Sequence, residues 1–268
     1  MANFVENFLK THSIDKFLDF PHLLHAFSPR GFDRGNGVYQ ELLLGRTADS
    51  KVSQQHRQLL LESLNIESKD LFLVHQVHGD RVYILDNPER SSGEVEQIEA
   101  DALVTDLMGK PIAVLTADCV PVILYDPEKH VAGVIHAGRK GTQMNIVSKV
   151  ISVFVKTYGS CPESLRLAFG PAIGRCCYEV DDSCIEPFRH TYPDWRSFVT
   201  PNAEGGFMLD LLKANESDAL NGGLLQENIH YSGECTSCHN DRWFSYRREG
   251  TTGRILSLVM LRRLPGKV

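Results

Sequence analysis

The chain has 268 residues, 42% hydrophobic and 23% charged, the proportions of a soluble globular protein with one large domain or two modest ones. Its formal charge of −6 and pI near 6.0 argue against a polyanionic partner such as nucleic acid. No window approaches the roughly 18–20 continuous apolar residues of a membrane-spanning helix. The opening stretch MANFVENFLKTHSIDKFLDF lacks a signal-peptide core, and seven cysteines are too few and odd in number for a disulfide framework. Together these features predict a cytoplasmic protein with reduced thiols, soluble, with no membrane partner.

Taken in chain order, SPRGFDRGNG (28–37) reads as a glycine-rich loop, and SKVSQQHRQLLLESLNI (50–66), with Leu60, Leu61 and Leu64, as an amphipathic helix. LFLVHQVHGDRVYILD (71–86) reads as two strands joined at Gly79–Asp80, followed by the short strands DALVTD and PIAVLTAD. Residues 142–159 place Val147, Val150, Ile151, Phe154, Val155 and Tyr158 at helical spacing, with Gly159 as a C-terminal stop. SLRLAFGPAIGRCCYEV is a strand leading into a turn, and the tail RWFSYRREGTTGRILSLVMLRRL reads as a hairpin. Helices interrupt strands without a regular βαβ rhythm, and no linker divides the chain. The expectation is a single α+β domain over 1–268, built on mixed sheets.

The chemistry concentrates in TADCVPVILYDPEKHVAGVIHAGRKGT (116–142). Asp126-Pro127-Glu128-Lys129 is a strong turn sequence, because Asp opens the turn and Pro presets the next φ. A hairpin that pairs 126 with 129 puts Cys119 opposite His136, and a bulge would make the pairing diagonal. A thiol beside an imidazole serves two chemistries. It can be a nucleophile whose pKa the imidazole lowers, or two ligands of a zinc ion that takes a third from elsewhere. Asp118 beside the thiol is an unusual residue for the end of a core strand. His136 leads through two glycines into a helix start carrying Arg139 and Lys140; this segment fits a phosphate cradle, or simply a tight strand-to-helix turn.

QVHGDRV (76–82), ADALVTD (100–106), TADCVPVILYD (116–126), HAGRKGT (136–142), FGPAIGRCCYEV (169–180) and WFSYRREGTTGR (243–254) together resemble, in order, the YfiH family. It is also called the multicopper polyphenol oxidoreductase or laccase-domain family, and its bacterial members are also called peptidoglycan editing factors. The resemblance implies two packed mixed sheets flanked by helices, a four-layer αββα arrangement. It also implies a metal centre, usually zinc, from His78, Cys119 and His136, with a fourth position open. The sequence departs from the family pattern where Arg139 and Lys140 replace a tryptophan and an arginine. Phe32 and Asp33 stand where glycines are common, Leu43 where an asparagine is usual, and His56-Arg57 where the pattern has Asn-Arg.

Other candidates are weaker. His75, three residues before His78, should face away on a strand. CTSCH supplies Cys235, Cys238 and His239, but a closed zinc site needs a further pair, and adjacent Cys176-Cys177 is an awkward one. Arg30 on the glycine-rich loop is a candidate substrate contact, and Arg247 either reaches an anionic substrate or forms a surface ion pair.

The laccase name meets a direct objection: the chain has 11 histidines and no His-x-His pair, whereas a multicopper cluster needs several. Copper is therefore the less favoured metal. The family's association with purine nucleosides implies adenosine phosphorolysis to adenine and ribose 1-phosphate, and deamination to inosine. Zinc would serve deamination, with Asp118 or Asp101 shuttling a proton; Arg30, Arg139 and Lys140 would hold phosphate. Cys119 and His136 are then catalytic as well as ligands. The alternative is a hydrolase of an amino-acyl peptidoglycan precursor, using the zinc or the Cys119 thiolate. A structural zinc protein is a third reading, requiring a fourth protein ligand.

Overall fold

A computed structural model describes residues 9–33, 38–45, 50–68 and 70–263, so residues 34–37 of the glycine-rich stretch lie outside the described residues. The elements begin with α1 (Asp15–Leu18), β1 (Leu23–Phe27), β2 (Gly31–Asp33), β3 (Tyr39–Glu41), α2 (Ser50–Ser63), β4 (Val82–Ile84) and α3 (Ser92–Val95). Next come β5 (Ala102–Thr105), β6 (Ile112–Thr116), β7 (Val120–Asp126), β8 (Val131–Ala137), α4 (Arg139–Gln143), α5 (Ile146–Tyr158), β9 (Arg166–Phe169), β10 (Glu179–Val180) and α6 (Asp182–Thr191). The chain continues through β11 (Val199–Pro201), β12 (Phe207–Leu209), α7 (Leu211–Asn221), β13 (Ile229–Tyr231), α8 (Tyr246–Glu249) and β14 (Ile255–Leu261).

The central layers are a six-stranded mixed sheet in the order β13-β9-β7-β8-β5-β4 and a three-stranded antiparallel sheet, β1-β14-β6. Strands β7 and β8 are buried at every position, as expected of strands covered on both faces. Their alternation explains why. Val120, Val122 and Leu124 point to one core, with Phe154, Ile185 and Phe188 of the helices α5 and α6. Ile123 and Tyr125 point to the other, where the two sheets meet around Phe27, Val114 and Val259. On the far side of β14, Leu256, Leu258 and Met260 pack with Leu60 and Leu61 of α2. The stack is helices, sheet, sheet, helix. Smaller sheets, β10-β12-β11 and β2-β3, lie apart from these layers in the hydrogen-bonding pattern.

Helix α5 ends at Gly159, whose φ of +68° gives the left-handed stop that its sequence implies. Its buried face is Ile146, Val147, Val150, Ile151 and Phe154, whereas Val155 is 37% exposed.

Three expectations need correction. The β7–β8 turn is longer than two residues: Asp126 pairs with Val131, so Cys119 lies beyond the last pair and Pro121, not Cys119, faces His136. The Asp126 side chain accepts hydrogen bonds from Glu128 N (2.8 Å) and Lys129 N (3.0 Å), and His130 adopts φ +53°, closing a four-residue loop. Second, residues 71–79 form no ladder strand; they touch neighbours through single bridges, Phe72 to Ile112 and His75 to Glu99. Phe72 N and His75 N donate to the Pro111 and Ile98 carbonyls, and the amides of 77–79 are bound by the Asp101 side chain. Third, the tail is no hairpin. Ser245 caps α8 by accepting from Arg248 N, and only β14 is a strand, inserted between β1 and β6.

Candidate functional site

Asp101, buried just before β5, organises the first half of the site. Its carboxylate accepts from Val77 N (3.2 Å), His78 N (3.0 Å) and Gly79 N (2.7 Å), which holds His78 at φ +59°. Gln76 supports the same turn by exchanging hydrogen bonds with the Leu115 backbone, both at 2.8 Å. A non-glycine residue in the left-handed region is strained, and here five side-chain hydrogen bonds sustain it. The reversal ends strand alternation, so His75 lines the same cleft as His78 and does not face away.

The second half comes from the open end of the β7–β8 hairpin. Cys119 precedes β7, and His136 stands in β8. The ligand atoms of His78, Cys119 and His136 all lie within 4.8 Å of one another. The two imidazoles meet edge to face, with centroids 4.7 Å apart. Gly138 leaves the room: a Cβ there would lie 3.2 Å from His78 Cδ2 and 3.3 Å from Cys119 Sγ. Gly141 serves packing, since its Cβ would sit 2.6 Å from the Gly79 carbonyl oxygen. That close approach joins the start of α4 to the His78 turn.

Asp101 also sets the electrostatics. His136 Nδ1 lies 2.7 Å from Asp101 Oδ1. A carboxylate only accepts, so Nδ1 carries the proton and Nε2 is left for the centre. Burial pushes the Cys119 thiol up, but His136 and His78 beside it pull it down to about 6. Burial pulls His136 down, while the Cys119 thiolate and Asp101 raise it to about 9. Asp101 itself is raised by burial but held below the usual carboxylate range by His136 and the Gly79 and Val77 amides.

This donor set fits a zinc ion. Two imidazoles and a thiolate converge, one imidazole is oriented by a carboxylate, and glycine replaces the side chain that would fill the space. Among the described residues the group has three members, not the four of a closed structural site. It opens into a cleft of about 790 Å³, whose walls include Arg139, Lys140, Ile173, Tyr178, Arg247 and Arg254.

The remaining sequence candidates divide. Arg139 and Lys140 stand in the cleft wall with no ion pair among the described residues. Arg247 lines the cleft, stacks over the Tyr178 ring at 5.0 Å and donates to the Glu179 carbonyl at 2.7 Å. Asp118, at φ +90°, accepts from Thr236 Oγ1 and Arg247 N, both at 2.6 Å, so its two oxygens anchor the loop around 236–247. Arg30 is not in the cleft: its guanidinium sits between Glu41 (2.8 Å) and Glu249 and over the Phe244 ring. His239 lies 3.9 Å from Glu234 and, among the described residues, belongs to no group of converging ligands. Arg254, Tyr178 and Tyr246 were not singled out in the sequence; only their position inside quoted motifs pointed to them.

The sequence model described as "Multi-copper polyphenol oxidoreductase laccase" matches residues 24–262. A Geobacillus stearothermophilus protein named purine nucleoside phosphorylase YlmD is 34% identical over 214 residues, 76% of this chain and 77% of that protein. A protein named adenosine deaminase RL5, from an unknown prokaryotic organism, is 35% identical over 199 residues, 72% of this chain and 76% of that protein. The crystal structure of Bacillus licheniformis hypothetical protein YfiH superposes with a TM-score of 0.86 at 29% identity, covering 94% of this chain and 96% of that one. The chain belongs to the multi-copper polyphenol oxidoreductase laccase family, to which YfiH-like proteins give their other name.

Proposed function

We propose that the cleft binds a purine nucleoside and cleaves it with phosphate, and that the same centre deaminates adenosine. The observation that carries this reading is the three-membered His78–Cys119–His136 group at the base of a cleft whose wall bears Arg139 and Lys140, neither ion-paired among the described residues. The names of the relatives at 34% and 35% identity support the same two reactions.

His78, Cys119 and His136 would hold zinc, with Cys119 acting as a ligand and not as a nucleophile. When bound, the zinc supplies Lewis acidity at its open fourth position. Asp101 keeps the His136 Nδ1 proton and so fixes the imidazole that faces the centre. Arg139 and Lys140 place positive charge where phosphate must enter, and Tyr178 and Ile173 offer apolar surface to the base. In phosphorolysis a phosphate oxygen bonds to C1′ as the C1′–N9 bond breaks. The electron pair leaves with the purine, which takes up a proton. In deamination water replaces the C6 amino group, which leaves as ammonia. Asp118 acts by positioning, because both its oxygens hold the loop that carries Arg247. Arg30 belongs to the ion-paired support of α8 and leaves the phosphate-binding scheme.

The test is to incubate zinc-loaded protein with adenosine, with and without phosphate, and to resolve the products by chromatography. Adenine and ribose 1-phosphate that require phosphate are expected, with inosine from the second reaction. Neither product, from protein carrying its zinc, overturns the reading and directs attention to acyl substrates. Cys119→Ser should lose metal and activity together; full zinc with no activity would instead assign the thiol as nucleophile.

A further inference from the structure

A second cluster lies outside this cleft. Cys176 and Cys177 sit in the turn after β9, and Cys235 and Cys238 in the loop after β13, about sixty residues away along the chain. Their four sulfur atoms lie within 4.8 Å of one another. Cys176 Sγ is 3.6 Å from both Cys235 Sγ and Cys238 Sγ, and Cys177 Sγ is 3.5 Å from Cys238 Sγ.

Burial does not explain the gathering. Cys176 and Cys238 are exposed and the other two only partly covered, whereas a thiol used for packing is normally enclosed. Nor do the spacings describe two disulfides, since Cys238 approaches Cys176 and Cys177 about equally. They do match a shared centre. Four sulfurs at about 2.3 Å from one ion stand about 3.8 Å apart along the edges of a tetrahedron.

The backbone is shaped for it. Cys177 N and Tyr178 N both donate to the Gly174 carbonyl, at 3.0 and 3.1 Å, which curls the turn so that both neighbouring thiols face the loop. Gly174 N donates to Cys235 Sγ at 3.2 Å. A Cβ at 174 would lie 3.2 Å from Cys176 Sγ and 3.4 Å from Cys235 Sγ, so the turn backbone packs closely against the two sulfurs. The loop is registered against the turn by a bridge between Ala172 and Cys235, with Thr236 N donating to the Ala172 carbonyl at 3.0 Å. The geometry that makes adjacent cysteines awkward ligands on a strand is removed by this turn.

We propose that Cys176, Cys177, Cys235 and Cys238 form a second metal centre, a tetrathiolate site for one zinc ion. The ion replaces the thiol protons, which pass to solvent, and no oxidation is involved. The centre fastens two walls of the cleft to each other: Ile173 and Tyr178 come from the turn, and Tyr246 and Arg247 follow the loop. It stands independently of the nucleoside reading, since it uses none of the His78–Cys119–His136 ligands.

The experiment is metal analysis of zinc-loaded, fully reduced protein, with Co²⁺ substitution as a spectroscopic check. Two zinc ions per chain are expected in the wild type. The double variant Cys235→Ser/Cys238→Ser should retain one, and Cys119→Ser should retain the other. Cobalt should give the thiolate charge-transfer bands of four sulfurs in wild type and in Cys119→Ser, but not in the double variant. One zinc per chain in wild type, iron in place of zinc, or disulfides by intact mass in freshly reduced protein would each overturn the assignment. Should the double variant fail to fold, alkylation of the wild type decides. Zinc should shield these four thiols while exposed Cys161 reacts throughout; equal labelling with and without zinc sinks the proposal.

Discussion

Asp101 shows how one carboxylate can draw together His78 and His136 without belonging to the His78–Cys119–His136 group itself. It binds three successive amides of the 77–79 turn and the far nitrogen of His136, so its loss disturbs two ligands at once. Asp101→Asn, which puts an NH₂ where only acceptors fit, should weaken zinc binding about 10- to 100-fold. A chelator competition titration measures this; unchanged affinity would show that His136 needs no orienting partner. His25 in β1 offers a separate, pH-dependent test. Burial chiefly, with the nearby His12 charge, lowers its pKa to about 4. Its Nε2 accepts from Ile14 N at 2.8 Å, and Nδ1 has no hydrogen-bond partner among the described residues. The unfolded chain, with an ordinary value near 6.5, binds the proton first. Stability from neutral His25 is therefore full above about pH 6.5 and is lost as pH falls to about 4, up to about 3 kcal/mol. Urea unfolding across that range should show the loss in wild type and much less in His25→Gln; equal slopes would remove His25 as the cause.

At the scale of elements, α5 illustrates how far periodicity carries. Its apolar residues recur at helical spacing, and the structure buries one stripe of them against β8, where Phe154 covers Gly133. Phe154→Ala should cost about 3–5 kcal/mol, whereas Val155→Ala on the exposed edge should stay within about 0.5 kcal/mol. Denaturant midpoints of the two variants test the face; similar losses would mean the helix sits rotated. The segment 71–79 teaches the opposite lesson. Its β-rich composition reads as a strand, yet its amides at 77–79 are bound by a side chain 22–24 residues further on. The length of the β7–β8 loop was likewise hidden, because Asp126 signals a turn wherever its side chain finds amides, and it found those of Glu128 and Lys129.

At the scale of the whole molecule, the last strand is the middle of a sheet. β14 pairs with β1 on one side and β6 on the other, and its two faces supply two different cores. Ending the chain at Arg254 would leave β1 and β6 without their shared partner and open both cores to water. Such a chain should fail to fold, read as loss of soluble protein and of cooperative unfolding. A soluble chain with wild-type circular dichroism would show that β14 is dispensable.

Local chemistry alone determined much of this protein. The apolar runs of β7 and β8, the helix at 146–158 with its glycine stop, and the nearness of Cys119 to His136 all follow from spacings along a short stretch. The resemblance added His78, which no spacing could join to the other two. What only the tertiary structure decided are contacts between segments far apart in the chain. Asp101 reaches the His78 turn, Arg30 is spent on Glu41 and Glu249, Asp118 ties down the 236–247 loop, and four thiols close on one point. Such contacts depend on how layers stack and where loops return, and hydrophobic periodicity carries no record of which side chain a distant loop will bring.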